Sequence, residues 1–170
     1  MLILSDGGMK MAEQKTNVMR LLTQKKITYI PHEYTHGSEA VDGVTAAALI
    51  GVPEEKVFKT LVTRGASKSI YVFVIPVASE LDLKKAAKSV GEKSIAMIHV
   101  SELLGLTGYV RGGCSPLGMK KQYTTVFHRS AEALDTIVVS AGKIGFQVEL
   151  DPEELIKLTR GKIADVITED

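Results

Sequence analysis

The segment that constrains the fold most is residues 56–77, which read KVFKTLVTRGASKSIYVFVIPV. Its two apolar arms are rich in β-branched and aromatic side chains, the residue types that favour strands. Between them, residues 64–68 supply the glycine and the polar side chains of a turn. The segment therefore predicts two β-strands joined by a turn, and the fold must contain a sheet.

Further strands and helices are spread over the rest of the chain. Capping residues and apolar spacing predict helices at 13–25, 45–50, 82–90, 101–104 and 151–161. Alternating or β-branched runs predict strands at 27–35, 122–129, 136–140 and 146–150. Strands outnumber helices and neither type is confined to one half, so the sequence predicts a single α+β domain around a mixed, curved sheet.

Composition limits the kind of protein this can be. The 170 residues suit one domain, and no apolar run approaches the ~20 residues of a membrane helix. The net charge of +1 gives no support for strong autonomous nucleic-acid binding. One cysteine, Cys114, cannot form an internal disulfide, which fits the reducing cytoplasm. Residues 1–11 have too short an apolar start for a secretory signal, so we expect a leader or tail before a domain at 12–170.

Residues 109–121, YVRGGCSPLGMKK, differ by one inserted methionine from the phosphate-binding loop pattern GxxxxGK[ST]. Such a loop is followed by a helix, whereas the sequence YTTVFH that follows here predicts a strand. In addition, Met119 displaces the lysine and Pro116 removes an amide donor. Gly112 and Gly113 remain as signs of either a loop whose backbone approaches a ligand or a simple connection between strands.

Residues 32–36, HEYTH, match the zinc-protease pattern HExxH. That pattern needs both histidines on one helix face, but the surrounding residues predict a strand, on which His32 and His36 would lie ~13 Å apart. We therefore predict no metal site. Tyr34 lies on the same strand face as the two histidines, where it is either a stacking surface for a ligand or a half-buried strand tyrosine.

Lys59 and Cys114 are the remaining candidates for chemistry. Lys59 lies within the apolar strand VFKTLV, where a lysine either faces solvent or places a charge in a pocket. Cys114 has no recognisable local base, and a lone cysteine is more often a packing residue than a nucleophile. No pattern in the sequence indicates a Ser-His-Asp or Cys-His arrangement.

Four segments in register carry a resemblance to one family: EKVFKTLV, LKKAAKSVGEK, TGYVRGGCSPLGMKK and IVVSAGKIGFQVEL. Their order and content are similar to those of the YbaK-type aminoacyl-tRNA deacylases, which are relatives of the editing domain of bacterial prolyl-tRNA synthetase. The resemblance covers about residues 16–167. It implies a mixed, barrel-like sheet flanked by helices, in agreement with the α+β prediction.

The same resemblance implies site residues. The implied catalytic residues are Lys59, Gly113 and Ser115, and the implied substrate-binding residues are Tyr34, Phe58, Gly112, Pro116, Ser140 and Gly142. The chain departs from the family pattern at two positions. Cys114 stands where a branched aliphatic residue is usual. Ala141 replaces a glycine in the family's second substrate-facing loop, which corresponds to residues 140–143 here.

The activity that the resemblance implies is removal of cysteine mischarged onto the proline tRNA, with Cys-tRNA(Cys) as a further substrate. The substrate's own thiol would attack its ester, with no cofactor, while Lys59 and the backbone amides of residues 112–115 stabilise developing charge. The implied partners are the 3′ end of aminoacylated tRNA and a prolyl-tRNA synthetase on the same tRNA. Two alternatives stay open: an Ala-tRNA(Pro) deacylase, and a non-catalytic module that holds an aminoacyl or nucleotide ligand.

Overall fold

The computed structural model of the chain describes residues 15–37 and 41–169. The expected leader, residues 1–11, lies outside them. The helices in these ranges are α1 (Asn17–Gln24), α2 (Gly43–Ile50), α3 (Leu83–Val90), α4 (Val100–Thr107) and α5 (Pro152–Thr159). The strands are β1 (Ile30–Glu33), β2 (Phe58–Gly65), β3 (Ile70–Pro76), β4 (Ile95–Met97), β5 (Thr124–His128), β6 (Ile137–Lys143), β7 (Phe146–Leu150) and β8 (Lys162–Ala164). Two 3₁₀ turns lie at Glu54–Lys56 and Arg129–Ala133.

The strands form two sheets. One has three strands in the order β1-β7-β6, and the other has five in the order β4-β2-β3-β5-β8. The larger sheet is mixed, because β2 pairs antiparallel with β3 and β4 while β5 pairs parallel with β3 and β8. A parallel bridge between Val57 and Val138 connects the two sheets. The mixed α+β prediction is confirmed, with the sheet divided into two parts.

The β2–β3 hairpin occupies the centre of the larger sheet, as its sequence predicts. Its pairing runs from Phe58 opposite Pro76 to Arg64 opposite Ile70. Strand β3 is buried on both faces, because Val72 and Val74 enter one apolar cluster while Phe73 and Ile75 enter another. This double burial explains why β3 reads as a continuous apolar run instead of an alternating one.

Helices α1 and α3 lie where the sequence predicts helices, although α1 begins at Asn17 and not at residue 13. Thr16 accepts a hydrogen bond from the Met19 amide and caps α1, while Asp82 accepts hydrogen bonds from two amides at the start of α3. Gly91 ends α3 in the left-handed region at φ +74°. These are the side-chain cap and the glycine stop that fix helix ends.

The starts of α2 and α4 also differ from the sequence prediction. Helix α2 begins at Gly43, because Asp42 accepts a hydrogen bond from the Thr45 amide and so displaces Thr45 as the cap. Helix α4 begins at Val100 and continues through Gly105 to Thr107, with Glu102 accepting a hydrogen bond from the His99 amide.

The sequence analysis did not predict two short strands. Strands β4 and β8 have three residues each, too few for a periodic signal. Strand β4 is held by antiparallel pairing to β2, and β8 by parallel pairing to β5. Both therefore exist through long-range pairing and not through local propensity.

Candidate active site

Two connected cavities lie where the two sheets meet. The inner chamber has a volume of about 120 Å³, and the outer cleft has a volume of about 830 Å³. The residues that line both are Val41, Gly43, Lys59, Thr60, Val77 and Gly112. Because these walls are shared, the inner chamber and the outer cleft adjoin each other.

Several chain segments build the inner chamber. Strand β2 supplies Phe58, Lys59 and Thr60, and the start of α2 supplies Gly43 and Ala46. The smaller sheet contributes one residue from β6 and one from β7, and the segment after β1 contributes a tyrosine. These residues are Ser140, Gln147 and Tyr34. The site thus depends on the packing of both sheets and is not formed by one motif.

Lys59 is the charged side chain of the inner chamber. No ion pair joins it to another residue in the described ranges 15–37 and 41–169. Burial lowers the pKa of Lys59 from its ordinary value of 10.5, and the carboxylate of Glu80 acts in the opposite direction. A partly desolvated cation of this kind interacts more strongly with a developing negative charge than one in bulk water.

Gly112 lies at the rim, in a turn that only glycine makes easily. The Gly113 amide donates to the Val110 carbonyl at 2.9 Å, and Gly112 takes φ +86° at the third position of this turn. A positive φ at that position is the type II pattern, which selects glycine. The Gly113 amide is thus engaged within the turn. Of the two glycines, Gly112 is the one that lines both cavities.

Cys114 lines the inner chamber as a neutral thiol. Its burial raises the pKa of the thiol to about 12, so the thiolate is scarce at neutral pH. The thiolate is the reactive form of cysteine. Cys114 is therefore a small, unreactive residue in the chamber wall, which agrees with the packing role that is more common for a lone cysteine.

The site residues implied by the sequence fall into two groups. Those that line the inner chamber are Tyr34, Phe58, Lys59, Gly112 and Ser140. Those that line neither cavity are Gly113, Ser115, Pro116 and Gly142. In this second group Ser115 is fully buried and its hydroxyl accepts a hydrogen bond from the Leu117 amide at 3.2 Å.

Gly142 of the second group lies on β6, at a point of close packing with other elements. The Gly142 amide donates to the Ser140 hydroxyl at 3.1 Å, and a β-carbon at Gly142 would lie 2.8 Å from Asn17 Oδ1. Asn17 in turn donates to the Tyr109 hydroxyl at 3.1 Å. The glycine at position 142 therefore allows α1 and Tyr109 to pack closely against β6.

Sequence reasoning missed several lining residues. Thr60 and Gln147 line the inner chamber, and Arg111 lines the outer cleft. Gln147 could have been noticed as an amide within the apolar run FQVEL. Thr60 follows the candidate lysine on β2, but a threonine in a strand carries no functional signal by itself.

The histidines of the HEYTH segment have other partners. His32 Nε2 lies 2.8 Å from Glu149 Oε1, and His36 Nδ1 lies 2.8 Å from the Gly37 carbonyl oxygen. Within the described residues, no three histidine, cysteine or acidic side chains are grouped so that they could hold a metal ion. The same residues include no helix long and apolar enough to cross a membrane.

Comparison with solved structures supports the fold. A structure of the hypothetical protein APE2540 matches with a TM-score of 0.80 at 24% identity, over 90% of this chain and all of the other. A structure described as "a putative trans-editing enzyme for prolyl tRNA synthetase" matches with a TM-score of 0.77 at 22% identity, over 89% and 95% of the two chains. At these identities the likeness shows the fold alone.

Comparison of sequences shows the family. The chain is 44% identical to the "Putative Cys-tRNA(Pro)/Cys-tRNA(Cys) deacylase EbsC" of Enterococcus faecalis, over 95% of this chain and 98% of that protein. It is 28% identical to YwhH of Bacillus subtilis, over 69% and 74% of the two chains. Residues 38–158 match the aminoacyl-tRNA editing domain, so this chain belongs to the family of aminoacyl-tRNA editing domains.

Proposed function

We propose that this protein is a hydrolase that deacylates Cys-tRNA(Pro), and also Cys-tRNA(Cys), so that cysteine is not inserted at proline codons. The observation that carries the proposal is the junction at Lys59, where a small chamber adjoins a larger cleft. A ligand with a small acyl end and a bulky alcohol end fits that shape. The name of the Enterococcus relative supports the same activity.

The two cavities suit the two ends of an aminoacyl ester. The inner chamber, at about 120 Å³, has the volume of about four water molecules at ~30 Å³ each, which suits a small amino-acid side chain. The outer cleft has apolar walls at Val44 and Leu61, and its charged lining residues include Arg111 and, on the start of α2, Asp42. We assign it to the terminal nucleotide, with the base against the apolar walls and a phosphate near the cation.

The chemistry needs no protein nucleophile. The substrate's sulfur attacks its own carbonyl carbon, a C–S bond forms, the C–O bond to the ribose breaks, and the thiol proton ends on the ribose oxygen. Water then opens the cyclic thioester and releases free cysteine. Selectivity follows from the nucleophile, because proline and alanine carry none, whereas cavity shape discriminates by only about 1–3 kcal/mol per methylene.

Lys59 and the turn at Gly112 would stabilise the charge that develops on the ester oxygens. A donor of this kind is worth roughly 10²–10³ in rate where one has been removed from other enzymes. We assign Tyr34, Phe58 and Ser140 to the walls around the acyl group. The implied catalytic residues Gly113 and Ser115, like Pro116, would act by shaping the loop between α4 and β5. Gly142 would act by shaping the end of β6.

We further propose that selection of the tRNA depends on prolyl-tRNA synthetase bound to the same tRNA. The chain carries a net charge of only +1, so counterion release gives it little affinity of its own for the tRNA body. We assign the protein to the cytoplasm, where tRNAs are charged. Tight and tRNA(Pro)-selective binding by the isolated protein would contradict this part of the proposal.

One assay tests the function against its alternatives. The protein is incubated with Cys-tRNA(Pro), Ala-tRNA(Pro) and Pro-tRNA(Pro), and loss of each ester is followed. We expect loss of the cysteinyl ester only. Loss of the alanyl ester instead would make the protein an Ala-tRNA(Pro) deacylase, and no loss of any ester would leave a binding module.

A further inference from the structure

The inner chamber is larger than a cysteinyl side chain requires. Its volume of about 120 Å³ is the space of about four water molecules at ~30 Å³ each. A cysteinyl side chain has two heavy atoms beyond the α-carbon, so on the same scale it fills only about half of that space. The remaining volume is enough for one further methylene group.

Part of the chamber wall is apolar and suits such an extension. Ala46, Phe58 and Val77 line the chamber, and all three side chains are buried. The Ala46 amide is hydrogen-bonded to the Asp42 carbonyl at the start of α2, so the methyl group is what this residue offers to a ligand. A methylene group held against this part of the wall leaves water for an apolar surface, which is favourable.

The length of a thiol side chain also decides how easily it attacks its own ester. The thiol of cysteine closes a four-membered ring on the carbonyl carbon, and that ring carries angle strain. A thiol one methylene further away, as in homocysteine, closes a five-membered ring whose bond angles are close to their ordinary values. An intramolecular reaction gains most when the reacting atoms can meet in an unstrained geometry. The longer thiol is therefore chemically the better suited of the two to this mechanism.

We propose that the protein has a further activity, the deacylation of tRNA(Pro) charged with homocysteine; this rests on the proposed function. The sulfur attacks the carbonyl carbon, a C–S bond forms, the C–O bond to the ribose breaks, and the thiol proton ends on the ribose oxygen. The product is a five-membered thiolactone. Lys59 and Gly112 line both cavities and stand at the carbonyl of this ester as they do for the cysteinyl ester.

The test compares three esters of tRNA(Pro), those of cysteine, homocysteine and norvaline. Norvaline has as many side-chain heavy atoms as homocysteine but no thiol. Because the homocysteinyl ester also cyclises without protein, the quantity measured is the single-turnover rate divided by the rate without protein. We expect an enhancement on the order of 10²-fold or more for both thiol esters and none for the norvalyl ester. Mass spectrometry should identify the thiolactone as the first product from homocysteine.

Ala46→Val tests whether the inner chamber holds the longer side chain, because Ala46 lines that chamber and not the outer cleft. We expect the ratio of the homocysteinyl to the cysteinyl rate to fall by about tenfold or more, the effect of one methylene group too many in a filled pocket. Ala48→Val is the matched control. Ala48 lies on the same helix, is exposed and lines neither cavity, so the ratio should not change.

The ratio does not depend on the folded fraction, and the comparison of the three esters on the unaltered protein needs no variant. Enhanced loss of the cysteinyl ester without enhanced loss of the homocysteinyl ester would overturn the further activity and leave Cys-tRNA(Pro) deacylation intact. Equal enhancement for the norvalyl and homocysteinyl esters would overturn the ring-closing step. An unchanged ratio in Ala46→Val would overturn the placement of the side chain. No enhancement for any of the three esters would overturn the proposed function as well.

Discussion

Lys59 on β2 and Gly112 in the Val110–Gly113 turn both line the inner chamber and the outer cleft. A side-chain cation and a glycine backbone therefore stand where the two cavities join. An ester carbonyl held at this junction would place its acyl group in the chamber and its alcohol in the cleft. The predictions below follow from that arrangement and from the packing that maintains it.

The first prediction concerns the substrate's nucleophile. Ser-tRNA(Pro) presents a side chain close in size to cysteine, but a hydroxyl is a far weaker nucleophile than a thiol. We expect single-turnover hydrolysis of the seryl ester to be slower than that of the cysteinyl ester by well over about tenfold. Equal rates would mean that the acyl carbonyl is attacked by water directly, without help from the substrate.

The second prediction concerns the protein's own thiol. Because burial raises the pKa of Cys114 to about 12, the native protein should react very slowly with iodoacetamide at pH 8, and rapidly once unfolded in guanidinium. Mass spectrometry of the modified chain measures both rates. Cys114→Ala should keep most Cys-tRNA(Pro) deacylation. Rapid native alkylation that abolishes activity, together with an inactive Cys114→Ala, would show that the thiol takes part in catalysis.

Much of the fold follows from local patterns. The β2–β3 hairpin, the β6–β7 hairpin and the Asp82 and Asp151 helix caps depend on neighbouring residues, and the structure confirms them. Strands β4 and β8 depend on partners far along the chain, so no short pattern predicts them.

The candidate site follows from the sequence less completely. Residues of the apolar strand and of the glycine loop could be named from the sequence, and Lys59 and Gly112 indeed line one chamber. Gln147 and Thr60 could not, because only the packing of β2 against the smaller sheet brings these two residues to one chamber. The Gly113 amide could not be seen in advance to be engaged by the Val110 carbonyl.

The third prediction concerns the close packing at Gly142. Its φ of +93° disfavours any side chain, and a β-carbon would lie 2.9 Å from the Tyr109 ring. Gly142→Ala should lower the free energy of unfolding by at least about 1–2 kcal/mol, the cost of the left-handed region alone. Chemical denaturation measures this value.

Gly105 provides the matched control for Gly142. It lies within α4, and apart from its chain neighbours and its own helix backbone, a β-carbon there would meet no heavy atom within 4 Å among the described residues. Gly105→Ala should therefore stabilise the protein by roughly 0.5–1 kcal/mol through helix propensity. If Gly142→Ala stabilised the protein as Gly105→Ala does, the close contacts described for Gly142 would not be those of the folded protein.

The fourth prediction concerns stability in acid. Burial opposes ionisation of Glu149, yet hydrogen bonds from Thr136, His32 and Lys56 hold its pKa below the ordinary 4.5. A depressed pKa contributes stability above the unfolded-state value, and that contribution is lost as the pH falls through the folded-state value. Glu149→Gln should lower the free energy of unfolding at pH 7 by about 1.5–3 kcal/mol and by less at pH 3. Equal losses at both pH values would contradict the assignment.

The most direct test of the account is the single-turnover rate of Cys-tRNA(Pro) deacylation by the protein and by Lys59→Ala. We predict rapid loss of the cysteinyl ester, a fall on the order of 10²-fold or more in the variant, and no loss of the prolyl ester in either. Lys84→Ala, which removes an exposed lysine of α3, serves as the control and should retain full activity. An unchanged rate in Lys59→Ala, or no deacylation of Cys-tRNA(Pro) by the unaltered protein, would contradict the account.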